Sequence, residues 1–158
     1  MEINPTRRTV LRGAGRAGVL YTLIATGVFK TTAAIAAAWN KTAFDSKDTI
    51  GALKGIGANA AADSNDIILK APTIAENGAV VPVDVVSNIP NTTSISILVE
   101  KNPFPLSAHF EFANGALPDV SVRLKFAQTS LVKAVVKADG KFYTVQKEVK
   151  VTVGGCGG

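Results

Sequence analysis

From Asp66 onward, apolar side chains recur at every second position, and no helical stretch interrupts them. Side chains of a β-strand alternate between two faces, so this period permits a half-buried sheet and little else. The runs fall at 67–69, 79–86, 94–99, 108–112, 120–126, 131–137 and 142–153. The cleanest of them, Val120-Ser121-Val122-Arg123-Leu124-Lys125-Phe126, places every apolar residue on one face and the charged ones on the other. Turn residues separate the runs: Pro72, Asn102-Pro103, Asn114-Gly115 and Asp139-Gly140. The last of these favours the tight turn of a hairpin. Seven short strands with regular turns predict an all-β fold, an immunoglobulin-like antiparallel β-sandwich. Pro82 cannot donate to a ladder, so its strand is expected at an edge or bulged there. The chain has one cysteine, so no disulfide joins the sheets and the core must hold by apolar packing.

A helical region precedes the sandwich, between Trp39 and Ala62. Asp45 or Ser46 is expected to cap it, with Asp48 in the first turn, where negative charge suits the helix dipole. Ile50 and Leu53 are three apart and so share a face. Gly55 and Gly57 are expected to end the helix, and 58–65, rich in alanine and small polar residues, reads as a linker.

The formal charge of +5 is unevenly distributed. Arg7, Arg8, Arg12, Arg16 and Lys30 stand against Glu2 alone in residues 1–38, and the rest has 12 basic and 11 acidic side chains. A near-neutral body argues against a nucleic-acid surface, which needs a clustered basic face on the folded domain. The basic segment reads as an address. Thr6-Arg7-Arg8-Thr9-Val10-Leu11-Arg12 has the twin-arginine export pattern, and an uncharged run of 13 residues, 17–29, follows it. That run is short for a membrane span of roughly 20 residues and suits a signal peptide. Ala36-Ala37-Ala38 offers small residues to a signal peptidase, so cleavage is expected between Ala38 and Trp39, with the mature protein in the periplasm. The organisation expected is therefore signal peptide 1–38, helical segment and linker 39–65, β-sandwich 66–153 and a terminal arm 154–158. Twin-arginine export moves folded proteins, which suits a cofactor inserted beforehand or a partner carried along.

Little in the body suggests catalysis. One histidine and one cysteine on different elements make no recognisable metal site, and no cofactor is expected. His109, between Ala108 and Phe110 on an alternating strand, reads as a structural or surface histidine rather than a ligand or base. No second cysteine or positioned base lies near Cys156, and no phosphate-cradling glycine loop opens a helix.

Cys156 stands apart because Gly154 and Gly155 precede it and Gly157 and Gly158 follow. Glycine has no Cβ, so such a segment has wide backbone freedom and nothing to pack. It reads as a flexible arm presenting one thiol. A free thiol has a pKa near ~8.5 and is only a few per cent thiolate at neutral pH, and the nearby terminal carboxylate does not help. Activation must come from whatever pocket receives the arm. The residues alone leave three readings open: a reactive carrier thiol, an exported structural β-sandwich cross-linked through its cysteine, or an incidental cysteine. An enzyme with a nucleophilic cysteine fits least, for want of a base or oxyanion site.

The terminal stretch Val149-Lys150-Val151-Thr152-Val153-Gly154-Gly155-Cys156-Gly157-Gly158 resembles the carboxy-terminal signature of the SoxY family, sulfur-carrier subunits of the periplasmic thiosulfate-oxidising Sox system. The likeness extends through Ala71-Pro72-Thr73-Ile74-Ala75-Glu76-Asn77-Gly78-Ala79-Val80-Val81-Pro82-Val83, through Val99-Glu100-Lys101-Asn102-Pro103-Phe104-Pro105 and through Lys137-Ala138-Asp139-Gly140-Lys141. The resemblance implies a heterodimer with SoxZ, an immunoglobulin-like subunit without its own leader, and so export as a pair. It implies that Cys156 carries sulfur intermediates covalently and that the chain is not itself an enzyme. A cytochrome complex, SoxXA, would attach thiosulfate. A di-manganese hydrolase, SoxB, would release sulfate and leave a persulfide. A sulfane dehydrogenase, SoxCD, acts on that sulfur in some systems. The strand 95–99 and the apolar edge near Pro82 are candidate faces for the partner.

Overall fold

The computed structural model describes residues 39–152. Among these residues the elements run α1 (Lys41–Phe44), α2 (Thr49–Gly55), β1 (Ala61–Asp63), β2 (Ile67–Lys70), β3 (Ile74–Ala75), β4 (Val81–Ser87), β5 (Thr92–Val99), β6 (Leu106–Glu111), β7 (Asp119–Leu124), β8 (Ser130–Ala138) and β9 (Lys141–Val151). They form the expected two-sheet sandwich. The larger sheet has the order β1-β9-β8-β5-β6, with β3 also on β9, and the smaller has the order β2-β4-β7. All seven sequence-derived strands are present. The β8–β9 hairpin turns at Asp139 and Gly140, whose φ values of 49° and 74° are those of the tight turn expected there.

Two further strands, β1 and β3, lie where the alternation gave no sign. Strand β1 occupies part of the segment expected to be a linker, and both pair with β9 in parallel, against an otherwise antiparallel sandwich. At three and two residues they are too short to show a period; backbone pairing alone defines them.

The core lies between the sheets. Val81, Val83 and Val85 of β4 face Ile95, Ile97 and Val99 of β5 and Val132, Ala134 and Val136 of β8, all fully buried. Burying each large aliphatic side chain contributes roughly 1.5–3 kcal/mol, which replaces the missing disulfide. Strand β4 is central rather than an edge, yet Pro82 is tolerated for the reason anticipated. The pairing with β2 stops at Asp84, so at Pro82 the strand has β7 on one side and no ladder on the other.

A second cluster occupies the outer face of the larger sheet, where Leu98, Leu106 and Val135 meet Ala43, Ala52 and Ala58. The helices thus cover β5, and every residue from Ile95 to Val99 is buried within the chain itself. That removes the strand 95–99 as a face for a partner.

The helical region is two helices, capped differently from expectation. Asn40 caps α1 through Oδ1, which accepts the Ala43 N–H at 3.1 Å, and Asp48 caps α2 by accepting the Gly51 N–H at 2.7 Å. Asp45 instead ends α1 and pairs with Lys41. Ile50 is 80 % exposed, so the buried face of α2 runs through Ala52 rather than through Ile50. Gly55 is the last residue of α2, where a Cβ would come within 2.6 Å of the Ala43 backbone. It permits the two helices to touch, and Gly57 alone provides the left-handed turn, with φ of 79°. The Gly57 N–H to Lys54 O and Ala58 N–H to Leu53 O bonds complete that helix end.

Candidate functional site: the root of the cysteine arm

Cys156 and Gly154, Gly155, Gly157 and Gly158 lie outside the described residues, as do Arg7 and Arg8. What the structure describes is the anchorage from which the arm departs. Strand β9 has β8 along one side as far as Val149 and β3 along the other at its last two residues. On one side β8 pairs from Ala138 opposite Lys141 to Ser130 opposite Val149. On the other, β3 sets Ile74 beside Lys150 and Ala75 beside Val151.

The backbone N–H groups of the last three described residues are all satisfied. Lys150 donates to Thr73 O at 2.9 Å and Thr152 to Ala75 O at 3.1 Å. Val151 points the other way, past the start of β8, and donates to the Thr129 hydroxyl at 3.0 Å. The Lys147 ammonium also donates to Ala71 O, tying the segment ahead of β3 to the same strand.

Three connections meet here. The turn after β3 lies against β9 because Gly78 has no side chain: a Cβ there would stand 2.7 Å from Phe126 O and 2.8 Å from Val151 Cγ1. Gly78 O accepts the Phe126 N–H at 2.7 Å, and Asn77 Oδ1 steadies the turn by accepting the Ala79 N–H at 2.9 Å. The connection after β5 adds Asn102, which donates to Lys125 O at 2.7 Å and accepts the Ala127 N–H at 3.0 Å. Lys101 donates its backbone N–H to Ser130 Oγ at 3.0 Å. Of the SoxY-like segments, 71–83 therefore lies along the end of β9, where the third begins, and 99–105 braces the connection that meets it there. The fourth segment, 137–141, is the hairpin turn at the far end of β9, about 35 Å away at the usual rise per residue.

Sequence reasoning singled out the arm but passed over Thr129, Asn102 and Gly78 as parts of its seat. Of these, Asn102 carried a signal, since it precedes a proline at a turn.

His109 joins β6 to β5 through the buried side chain of Ser96. Its Nδ1 lies 2.8 Å from Ser96 Oγ, and its Nε2 is 3.7 Å from Glu111 Oε1. The order Ser-His-Glu suggests a catalytic triad, but Ser96 is 2 % exposed on the covered face of β5, out of reach of a substrate. Among the described residues no group of three or more His, Cys, Asp or Glu side chains is placed to hold a metal ion.

The family model for the sulfur oxidation protein SoxY matches residues 53–156, from α2 through the sandwich to Cys156. The chain belongs to the SoxY family. A solved structure of the sulfur carrier protein SoxY from Chlorobium limicola f thiosulfatophilum is 39 % identical and superposes with a TM-score of 0.62. The match covers 72 % of this chain and 100 % of that one. No curated protein sequence matches the chain. The SoxY match gives the anchorage its meaning: the family pattern does not stop at the sandwich but runs out along β9 to the cysteine.

Proposed function

We propose that this chain is a covalent sulfur carrier of thiosulfate oxidation, holding its cargo on Cys156. The observation that carries the reading is that the SoxY match extends to the chain's one cysteine, past a strand that β8 and β3 anchor. In the loading step the thiol loses its proton and forms an S–S bond to the outer sulfur of thiosulfate. Two electrons leave to a cytochrome of the SoxXA type. Water then cleaves the S–S bond to the sulfone, in a SoxB-type hydrolase. The products are sulfate, two protons and a persulfide anion on Cys156. Persulfides and mixed S–S species are reversible states of cysteine, as a carrier requires. The catalysis resides in the partner enzymes, and SoxZ is the proposed stable companion.

Intact mass spectrometry of protein purified from thiosulfate-grown cells tests this reading. Thiosulfonate and persulfide adducts on the tail peptide are expected. A tail that carries only an intermolecular disulfide, under every growth condition, would favour the cross-linked structural protein instead.

Bare backbone on either side of the thiol lets narrow enzyme channels admit it. Gly155→Val and Gly157→Val are therefore expected to slow transfer to the partner enzymes while leaving thermal unfolding unchanged, since both lie beyond the β9 ladder. Full transfer rates in both variants would count against entry through a channel.

The leader assigns the protein to the periplasm by the twin-arginine route. Amino-terminal sequencing of the periplasmic form is expected to begin at Trp39. Deleting Arg7 and Arg8 is expected to hold both this chain and its leaderless companion in the cytoplasm.

A further inference from the structure

We propose that Thr129 is a positioning residue for the carrier thiol, setting the point at which the arm leaves the fold. The inference takes its functional meaning from the carrier reading, but its structural basis lies wholly in the described residues. Strand β8 begins at Ser130, opposite Val149, and the chain bends away over 127–129. A continued ladder would bring a backbone carbonyl to the Val151 N–H; the bend takes it away. The Thr129 hydroxyl substitutes for it, accepting the Val151 N–H at 3.0 Å and donating a longer bond, 3.5 Å, to Val151 O. One side chain thus extends the anchorage of β9 past the last β8 pair, opposite the backbone bonds that β3 makes to Lys150 and Thr152.

The hydroxyl is itself held in place. Asn102 bridges Lys125 O and Ala127 N–H, and Phe126, fully buried, fixes the middle of the same connection in the core. Ser130 Oγ, next in the chain, is engaged by the Lys101 N–H and by Leu131 O. The connection is therefore braced on both sides of Thr129.

The consequence is a defined reach. From Thr152 the sulfur-bearing residue is four residues on, a span of at most about 14 Å when fully extended. If Val151 and Thr152 fray, the free segment starts at Lys150 and the limit rises to about 21 Å. A longer tether spreads the thiol over a larger volume and lowers its effective concentration at any one partner site. Thr129 keeps the tether short.

The test uses the full chain with a nitroxide on Cys156, the single cysteine, beside amide hydrogen exchange of the unlabelled protein. Thr129→Val keeps the shape and removes the hydroxyl; Thr129→Ser keeps the hydroxyl. In the valine variant, exchange at Val151 is expected to rise roughly fivefold to tenfold, the scale of one lost hydrogen bond, with Val149 unchanged. The nitroxide signal is expected to narrow as the tether lengthens. The serine variant should restore both. Unchanged exchange at Val151, a rise that extends equally to Val149, or a serine variant that behaves like valine would each overturn the assignment. None of these readouts needs sulfur chemistry, so a tail without sulfur adducts would remove the carrier reading and leave this result standing.

Discussion

Cys156→Ser is expected to abolish sulfur carriage while leaving the sandwich untouched. The variant should take up no thiosulfate-derived mass, and cytochrome reduction that depends on this chain and thiosulfate should fall to background. The reason is chemical rather than steric. Each step of the proposed cycle makes or breaks an S–S bond, and a hydroxyl oxygen offers no equivalent reversible bond to sulfur. The chain has one cysteine, so no other thiol can take over. The change also lies beyond the region that determines stability. The last paired positions of β9 are Val149 against β8 and Val151 against β3, and Thr73, Ala75 and Thr129 hydrogen-bond the backbone N–H groups of Lys150, Thr152 and Val151. Thermal unfolding should therefore coincide with that of the parent protein. Loss of carriage with an unchanged unfolding curve separates a handle from a structural element; thiosulfate-derived mass on the serine variant would sink the assignment.

How far the sequence reveals this arrangement follows from the length and chemistry of each feature. Strands of four or more residues with one buried face announce themselves, and the run that holds Val81, Val83 and Val85 is legible from its β-branched residues. Strands β1 and β3 have no such pattern because their side chains decide little; they exist as backbone partners for β9, whose own edge would otherwise be open. Burial on the outer face of β5 is hidden for another reason. Ser94 and Ser96 read as the solvent side of an alternating strand, but the larger sheet has helices over that face and His109 supplies a partner for Ser96. Small polar residues are ambiguous between water and a bonded interior. At the candidate site, the glycines and the single thiol are visible at once, whereas the seat depends on residues distant in sequence. Thr129 meets Val151 across 22 positions and Asn102 meets Lys125 across 23. No local pattern encodes those pairings; the register of β8 on β9 brings Thr129 to Val151, and that of β5 on β8 brings Asn102 beside the connection that leads into β8.

Phe126→Ala is expected to cost about 3–5 kcal/mol, the range for removing a fully buried aromatic ring. The side chain is among the largest that are wholly enclosed, and it packs with the valines and isoleucines of both sheets. Against a total stability of roughly 5–15 kcal/mol, such a loss consumes a large share. Urea unfolding should show the midpoint falling with little change in slope, since the surface exposed on unfolding stays nearly the same. The comparison that isolates burial is Phe104→Ala. Phe104 is 45 % exposed, and its ring lies 3.5 Å under the Lys47 ammonium. An exposed cation–π contact is worth only about 0.5–1 kcal/mol, so that variant should unfold close to the parent. Phe126 also sits midway in the connection that leads to Thr129, and its N–H is held by Gly78 O at 2.7 Å. The cavity left by the ring therefore opens in the core at the connection that carries Thr129. Exchange at Val151 should rise in Phe126→Ala by more than the global loss of stability requires, and in Phe104→Ala it should not. If the two variants proved equally stable, the connection between β7 and β8 could not be the pin that joins the core to the root of the arm.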